Sequence, residues 1–184
     1  MSARAMLRLS LLCLLVVGSS HGASVAQAQK KGPPPWERKG RETGLPVPRF
    51  VSLKADNARM RIGPDFEYAI QWLYRAPGLP LEIIGEYGNW RQVRDCDGIS
   101  GWMHRSLLSG VRTAVVGPWR NSMASLSEQP RKGGREKAKL EPRVRVQILS
   151  CSMAWCYVGA ENGSVRGFVE KSALWGVYPH ETID

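Results

Sequence analysis

Helical patterning is missing from this chain. No segment carries an apolar stripe at helical spacing over ten or more residues, so no helix of ordinary length is expected. Histidine is scarce, and two of the three, His104 and His180, lie outside the first 28 residues. Neither sits in an H-E-x-x-H motif or has a cysteine or carboxylate at ligand spacing, which argues against a zinc site. There is no glycine-rich phosphate loop, no Ser-His-Asp order and no paired-carboxylate motif. Cys96 with His104 is the one arithmetical nucleophile–base pair, but His104 alternates with Met103 in a strand pattern and is expected to face solvent. The expectation is a protein that is not an enzyme, with no catalytic residue, no metal and no cofactor. Long apolar runs are also absent beyond Leu9–Val17, which is too short to span a bilayer.

That run has a function of its own. Arg4 and Arg8 precede it and small residues follow, ending in Ala26-Gln27-Ala28. This is the pattern of a secretory leader cleaved after Ala28, with Ala23 as the alternative site. Lipid attachment at Cys13 is disfavoured because Leu12 before it is not small. The expected location is periplasmic or secreted, with no membrane span. The formal charge of +10 becomes +8 once Arg4 and Arg8 are removed. Cys96, Cys151 and Cys156 then remain, in a compartment that permits disulfides. Cys151 and Cys156 flank four residues, a length suited to a hairpin, and that pairing is favoured over pairs using Cys96. Cys96 is left in an expected exposed turn, Arg94 to Gly98, either as a tolerated free thiol or as an intermolecular link. Residues 29–48 hold five of the twelve prolines and five basic residues, the composition of an extended, solvated arm.

The remainder is written twice. Trp90 lies eight residues before Gly98, and Trp155 eight before Gly163. Gly101-Trp102 answers to Gly167-Phe168, and Ser106-Leu107-Leu108 to Ser172-Ala173-Leu174. Ala58-Arg59-Met60 with Pro64 answers to Ala124-Ser125-Leu126 with Pro130. An offset of 65 to 66 residues held through this region marks two tandem modules, 49–112 and 113–178, with a tail at 179–184.

Each module reads as short strands broken by Gly and Pro. The first is expected to have strands at 49–53, 71–74, 81–87, 90–94 and 100–104, with a strand end at Met60 and Ile62. Gly88-Asn89 and Asp97-Gly98 are hairpin signals, and Ser106-Leu107-Leu108 is a short helical turn. In the second, 114–116, 144–149, 155–159 and 166–170 match, while 132–139 reads as a polar, basic loop. The fold class is all-β: two small, strongly bent barrels after a leader and a proline-rich arm. The apolar stretch Leu174–Pro179 is expected to pack down.

Asn57-Ala58-Arg59-Met60-Arg61-Ile62-Gly63-Pro64, Gly78-Leu79-Pro80, Glu86-Tyr87-Gly88-Asn89-Trp90, Asp97-Gly98 and Gly101-Trp102 together resemble the bacterial SH3-like domain family. Ser106 to Gly110 and Leu174 to Tyr178 look like a tandem subgroup of exported proteobacterial proteins. The resemblance covers nearly all of 49–178 and departs at the first loop of the second module. It implies an SH3-like β-barrel of five to seven strands with a long loop after the first. It also implies a binding module for cell-wall peptides or partner proteins, often joined to a wall hydrolase. The residues outside the modules here are too few for a catalytic domain.

Tyr68, Tyr74, Tyr87, Trp90 and Trp102 supply the rings for a groove beside the long loop, and they are also natural core residues. Tyr68 and Tyr87 sit beside turns and suit a groove; Trp102 stands between groove and core. Arg61, Asp65 and Glu67 would give the polar contacts that orient a peptide. Trp155 and Trp175 are the parallels in the second module. Arg131, Lys132, Arg135, Lys137 and Lys139, with Arg143 and Arg145, form a basic cluster opposed by Glu136 and Glu141. Such a cluster attracts polyanions weakly and salt-dependently, or simply keeps a loop solvated. Export removes nucleic acid as the expected partner. The functional expectation is a non-enzymatic exported module that recognises a cell-wall peptide or an envelope protein through the first barrel. An envelope assembly role using the barrel pair as an interface is the alternative, and the oligomeric state stays open.

Overall fold

Alternating burial begins along Arg49–Leu53 and recurs along Ser100–His104 and in the first half of Arg145–Ser152. The computed structural model of the protein describes residues 38–160 and 163–184. Strands β1 (Arg49–Leu53), β2 (Ala58–Arg61), β3 (Ile70–Tyr74), β4 (Pro80–Tyr87), β5 (Trp90–Arg94), β6 (Ser100–His104) and β7 (Leu108–Ser109) form an antiparallel sheet in the order β3-β2-β6-β5-β4-β1-β7. A second sheet holds β8 (Thr113–Val116), β9 (Ala124–Ser127), β10 (Glu136–Leu140), β11 (Arg145–Ser152), β12 (Trp155–Ala160), β13 (Val165–Glu170) and β14 (Leu174–Trp175). Its order, β10-β9-β13-β12-β11-β8-β14, is the same topology. Even the 3-10 turns correspond, Arg105–Leu107 and Lys171–Ala173. The repeat in sequence is a repeat in structure.

Two glycines show why the pattern is so regular. A Cβ on Gly101 would lie 2.7 Å from Met60 Cγ, and one on Gly167 would lie 2.9 Å from Leu126 Cγ. At both places one sheet strand crosses tightly over another, and only glycine allows that approach. The β2–β6 and β9–β13 contacts are correspondingly brief, with one registered pair each, Arg61 opposite Trp102 and Ser127 opposite Phe168. Among the described residues no pairing joins β3 to β7 or β10 to β14, so each expected barrel is, in its hydrogen bonding, an open seven-stranded sheet.

The cores follow from period-two burial. Leu53, Ala58, Met60, Leu81, Ile83, Val93 and Met103 fill the first. The second is larger, built on Val116, Leu126, Val146, Val158 and Val169, and includes the Cys151–Cys156 disulfide. These cysteines face each other across the β11–β12 hairpin, as their spacing predicted. Cys96 is free.

Three expectations are corrected. Residues 38–48 are no solvated arm: Lys39 bridges to Pro46, and Gly40 and Val47 are buried. The cause is Glu86, whose carboxylate accepts bonds from the Thr43 hydroxyl (2.7 Å), the Glu42 and Thr43 amides (3.0 Å each) and Arg49 (2.7 Å). Residues 29–37 and the cleavage position Ala28 lie outside the described residues. Secondly, 132–139 is not all loop, because Lys137 and Lys139 stand on β10, paired to β9. Thirdly, the 94–98 turn is not fully exposed. Asp95 is buried and accepts bonds from Tyr74 and from the Asp97 and Ile99 amides.

The two sheets are joined by more than a linker. Phe50 of β1 meets Trp175 edge-on at 5.0 Å and Tyr178 at 4.7 Å. The Tyr178 hydroxyl donates to Glu82 Oε1 of β4 at 2.8 Å, and Arg143 grips Asp97 with bonds of 2.6 and 3.0 Å. The 174–178 stretch therefore does pack down, against the first sheet. Beyond it, Glu181 holds Arg112 of the linker, and Ile183 bridges to Cys151.

Candidate functional site

On β6, Gly101 and Met103 point to the core, so Trp102 and His104 take the opposite face. Register places Trp90 of β5 opposite His104, and Arg61 of β2 opposite Trp102. Arg59 shares that outward side of β2. Over this face the loop after β2 folds back and lays Phe66 against Trp90 (4.9 Å) and His104 (5.6 Å). Trp90 and His104 are themselves 5.6 Å apart, edge to face. The Arg61 guanidinium stands 5.8 Å from the Phe66 ring, within cation–π range, and also donates to the Tyr68 carbonyl.

The result is a cleft of about 300 Å³ walled by Asn57, Arg59, Arg61, Phe66, Trp90, His104, Ser106 and Leu107. It has an aromatic floor and a cationic rim. The Ser106 amide donates to His104 Nδ1 at 3.4 Å and the Ser106 hydroxyl lies 2.8 Å from it. That contact caps the 3-10 turn, which gives the Ser–His pair a structural purpose.

The expected residues separate on this geometry. Arg61 and Trp90 line the cleft. Tyr68 covers Gly63, where a Cβ would sit 2.6 Å from its ring, and remains half exposed on the loop. Asp65 accepts the Glu67 amide at 3.0 Å and so fixes the loop's turn, while Glu67 is exposed. Tyr87 is exposed at the end of β4, opposite Trp90 in register, and does not line the cleft. Trp102 shares the face without lining the cleft. Tyr74 belongs elsewhere: its hydroxyl donates to Asp95 at 2.8 Å, and burial together with that carboxylate pushes the phenol well above its ordinary range. Phe66, Arg59 and His104 were missed in the sequence. The signal for Phe66 was there, a large ring inside the polar run Pro64 to Glu67.

A second cleft of about 440 Å³ occupies the same place on the second sheet. Met123, Ser125, Ser127, Lys132, Trp155, Glu170 and Ala173 stand where Asn57, Arg59, Arg61, Phe66, Trp90, His104 and Leu107 stand in the first. It adjoins an apolar hollow between Trp119, Met153, Trp155, Leu174 and Val177. The scaffold and the tryptophan persist while the polar chemistry is exchanged. The basic cluster is divided by this arrangement. Arg131 and Lys132 line the cleft, Arg135 is 3.8 Å from Glu128, Lys139 is 4.0 Å from Glu136, and Lys137 lies on another face beside Tyr157 and Phe168.

Among the described residues no group of three or more His, Cys, Asp or Glu is placed to hold a metal, and no helix is long and apolar enough to cross a membrane. The fold and the clefts define an all-β chain of two sheet subdomains, of the kind consistent with a protein-interaction module. Residues 54–110 match the family described as the bacterial SH3 domain, so the first subdomain is similar to that family. Solved structures named NlpC2 and NlpC1 from Trichomonas vaginalis are similar at 12% identity, with TM-scores of 0.33 and 0.32. The matches cover 73% and 74% of this chain but 50% and 48% of theirs, so the chain spans about half the length of those structures. No curated protein matches it.

Proposed function

We propose that the protein is a non-enzymatic, exported binding module whose first subdomain, an SH3-like barrel of the bacterial type, holds a cell-wall peptide or an envelope-protein segment bearing a carboxylate. The observation that carries this reading is the Phe66–Trp90–His104 cluster with the Arg61 guanidinium beside Phe66. Rings give a flat apolar seat, and Arg59 and Arg61 supply charge-assisted donors to an anionic end. The export reading rests on the leader pattern of residues 1–28 and agrees with the Cys151–Cys156 disulfide. The second barrel keeps the Trp155 cleft with different polar groups, which suits a rigid second contact of different preference.

Co-sedimentation with purified cell-wall sacculi at low and high salt tests the reading. Pelleting that survives salt and is lost in Phe66→Ala supports it. Pelleting abolished by salt and insensitive to Phe66→Ala assigns the effect to Arg131 and Lys132, and no pelleting at all removes the wall as the partner.

A further inference from the structure

Two changes separate the second cleft from the first. Strand β1 joins β2 through four residues, 54–57, whereas β8 joins β9 through seven, 117–123. The longer connection carries Trp119, which walls the apolar hollow, and Arg120, which walls the cleft beside it. Cleft and hollow meet at Lys132, Trp155 and Glu170. The other change is at the ring above the tryptophan. Phe66 lies on Trp90 and leaves it buried, but Lys132 stands in the place of Phe66, and Trp155 is only partly buried.

The cations of this cleft are uncommitted. Arg120 Nε is buried without a hydrogen-bond partner, and Arg120, Arg131 and Lys132 have no ion-pair partner among the described residues. A buried donor left unpaired is costly, and an incoming anion removes that cost. Of the two carboxylates on the wall, Glu136 lies 4.0 Å from Lys139, while Glu170 accepts the Ser172 hydroxyl at 3.2 Å. In the hollow, Trp119 and Met153 are 57% and 87% exposed, an apolar surface continued by Leu174 and Val177. Lys171, on the same wall, is directed to the Pro179 and Glu181 carbonyls.

We propose that cleft and hollow together receive the free carboxy terminus of a partner protein ending in a large apolar residue, leucine or phenylalanine. The terminal carboxylate meets Arg120, Arg131 and Lys132, the last peptide N–H donates to Glu170, and the side chain enters the hollow. One Cα carries all three groups, and Trp155 and Glu170 stand at the junction where that Cα would lie. Glu170 also discriminates: it opposes a dianionic phosphate and finds no donor on a plain acyl chain. The site lies on the other subdomain from the Phe66 cleft, and each can fail alone.

The test is fluorescence anisotropy of a fluorescein-labelled peptide, Gly-Ser-Gly-Ser-Phe with a free carboxyl, titrated with the full chain. A saturable rise is expected. The same peptide as its carboxamide, or ending in alanine, binds about tenfold or more weakly. These changes leave the protein untouched, so no folding defect imitates them. Trp119→Ala and Arg120→Gln each weaken the free-carboxyl peptide by a similar factor, and Arg120→Lys weakens it less. Equal binding of acid and amide, or no saturable binding up to about 1 mM protein, overturns the proposal. So does displacement of the probe by low millimolar inorganic phosphate, or loss in Phe66→Ala without loss in Arg120→Gln.

Discussion

Trp90 and Trp155, 65 residues apart, occupy the first position of β5 and of β12, and each forms part of the floor of a cleft at the same place on its sheet. Around Trp90 the walls carry Arg59, Arg61 and His104; around Trp155 the same positions carry Ser125, Ser127 and Glu170. Duplication has kept the aromatic seat and exchanged the polar contacts. Phe66→Ala should therefore lower binding to wall peptide by about tenfold while Trp155→Ala leaves that binding unchanged, measured by calorimetric titration.

Tyr74 gives the control. Its hydroxyl serves Asp95 and not the cleft, so Tyr74→Phe should cost about 1–2 kcal/mol of stability in urea unfolding and leave peptide affinity as it was.

Glu86 predicts an acid response. Burial opposes its ionisation, but the bonds from Thr43 and Arg49 and the Glu42 and Thr43 amides outweigh burial and bring the carboxyl down from 4.5 to about 2. A carboxyl lowered in the folded state stabilises above its unfolded value and loses that contribution as pH falls from about 4.5 to 2. Wild type should lose on the order of 2 kcal/mol more than Glu86→Gln across that interval, allowing for screening by nearby solvent. The 40–46 turn should be the first segment to lose amide-exchange protection.

The junction between sheets should behave as one cooperative structure. Phe50→Ala removes the ring that Trp175 and Tyr178 pack on, at a cost of about 3 kcal/mol. Chemical denaturation should then resolve two transitions where wild type shows one.

Cys96 should alkylate slowly. Burial, reinforced by the Asp97 and Asp95 carboxylates, raises its thiol above the ordinary value and keeps the thiolate scarce. Iodoacetamide labelling at neutral pH should lag a model thiol, and the gap should close as pH rises.

The doubled architecture was legible because it is imposed by backbone contact. Gly101 and Gly167 must be glycine wherever one strand crosses another this closely, so both repeats carry a glycine there, 66 residues apart. The hairpin disulfide was legible for the same local reason. What was hidden depended on distant partners or on little burial. Strand β10 is an edge with only Leu140 buried, so nothing in its composition separates it from a solvated loop. The 38–48 turn is held by a carboxylate some forty residues away, beneath a composition that reads as an arm. Phe66 is exposed, and its role appears only once the loop lays it on Trp90.

The most direct test is a chemical-shift titration of the isotope-labelled protein with a soluble cell-wall peptide. The first-cleft reading predicts that the largest shifts fall on the Trp90 indole N–H, the His104 ring, Arg61 and the 62–68 loop. Shifts confined to residues 131–139, or no shifts at saturating peptide, would contradict it.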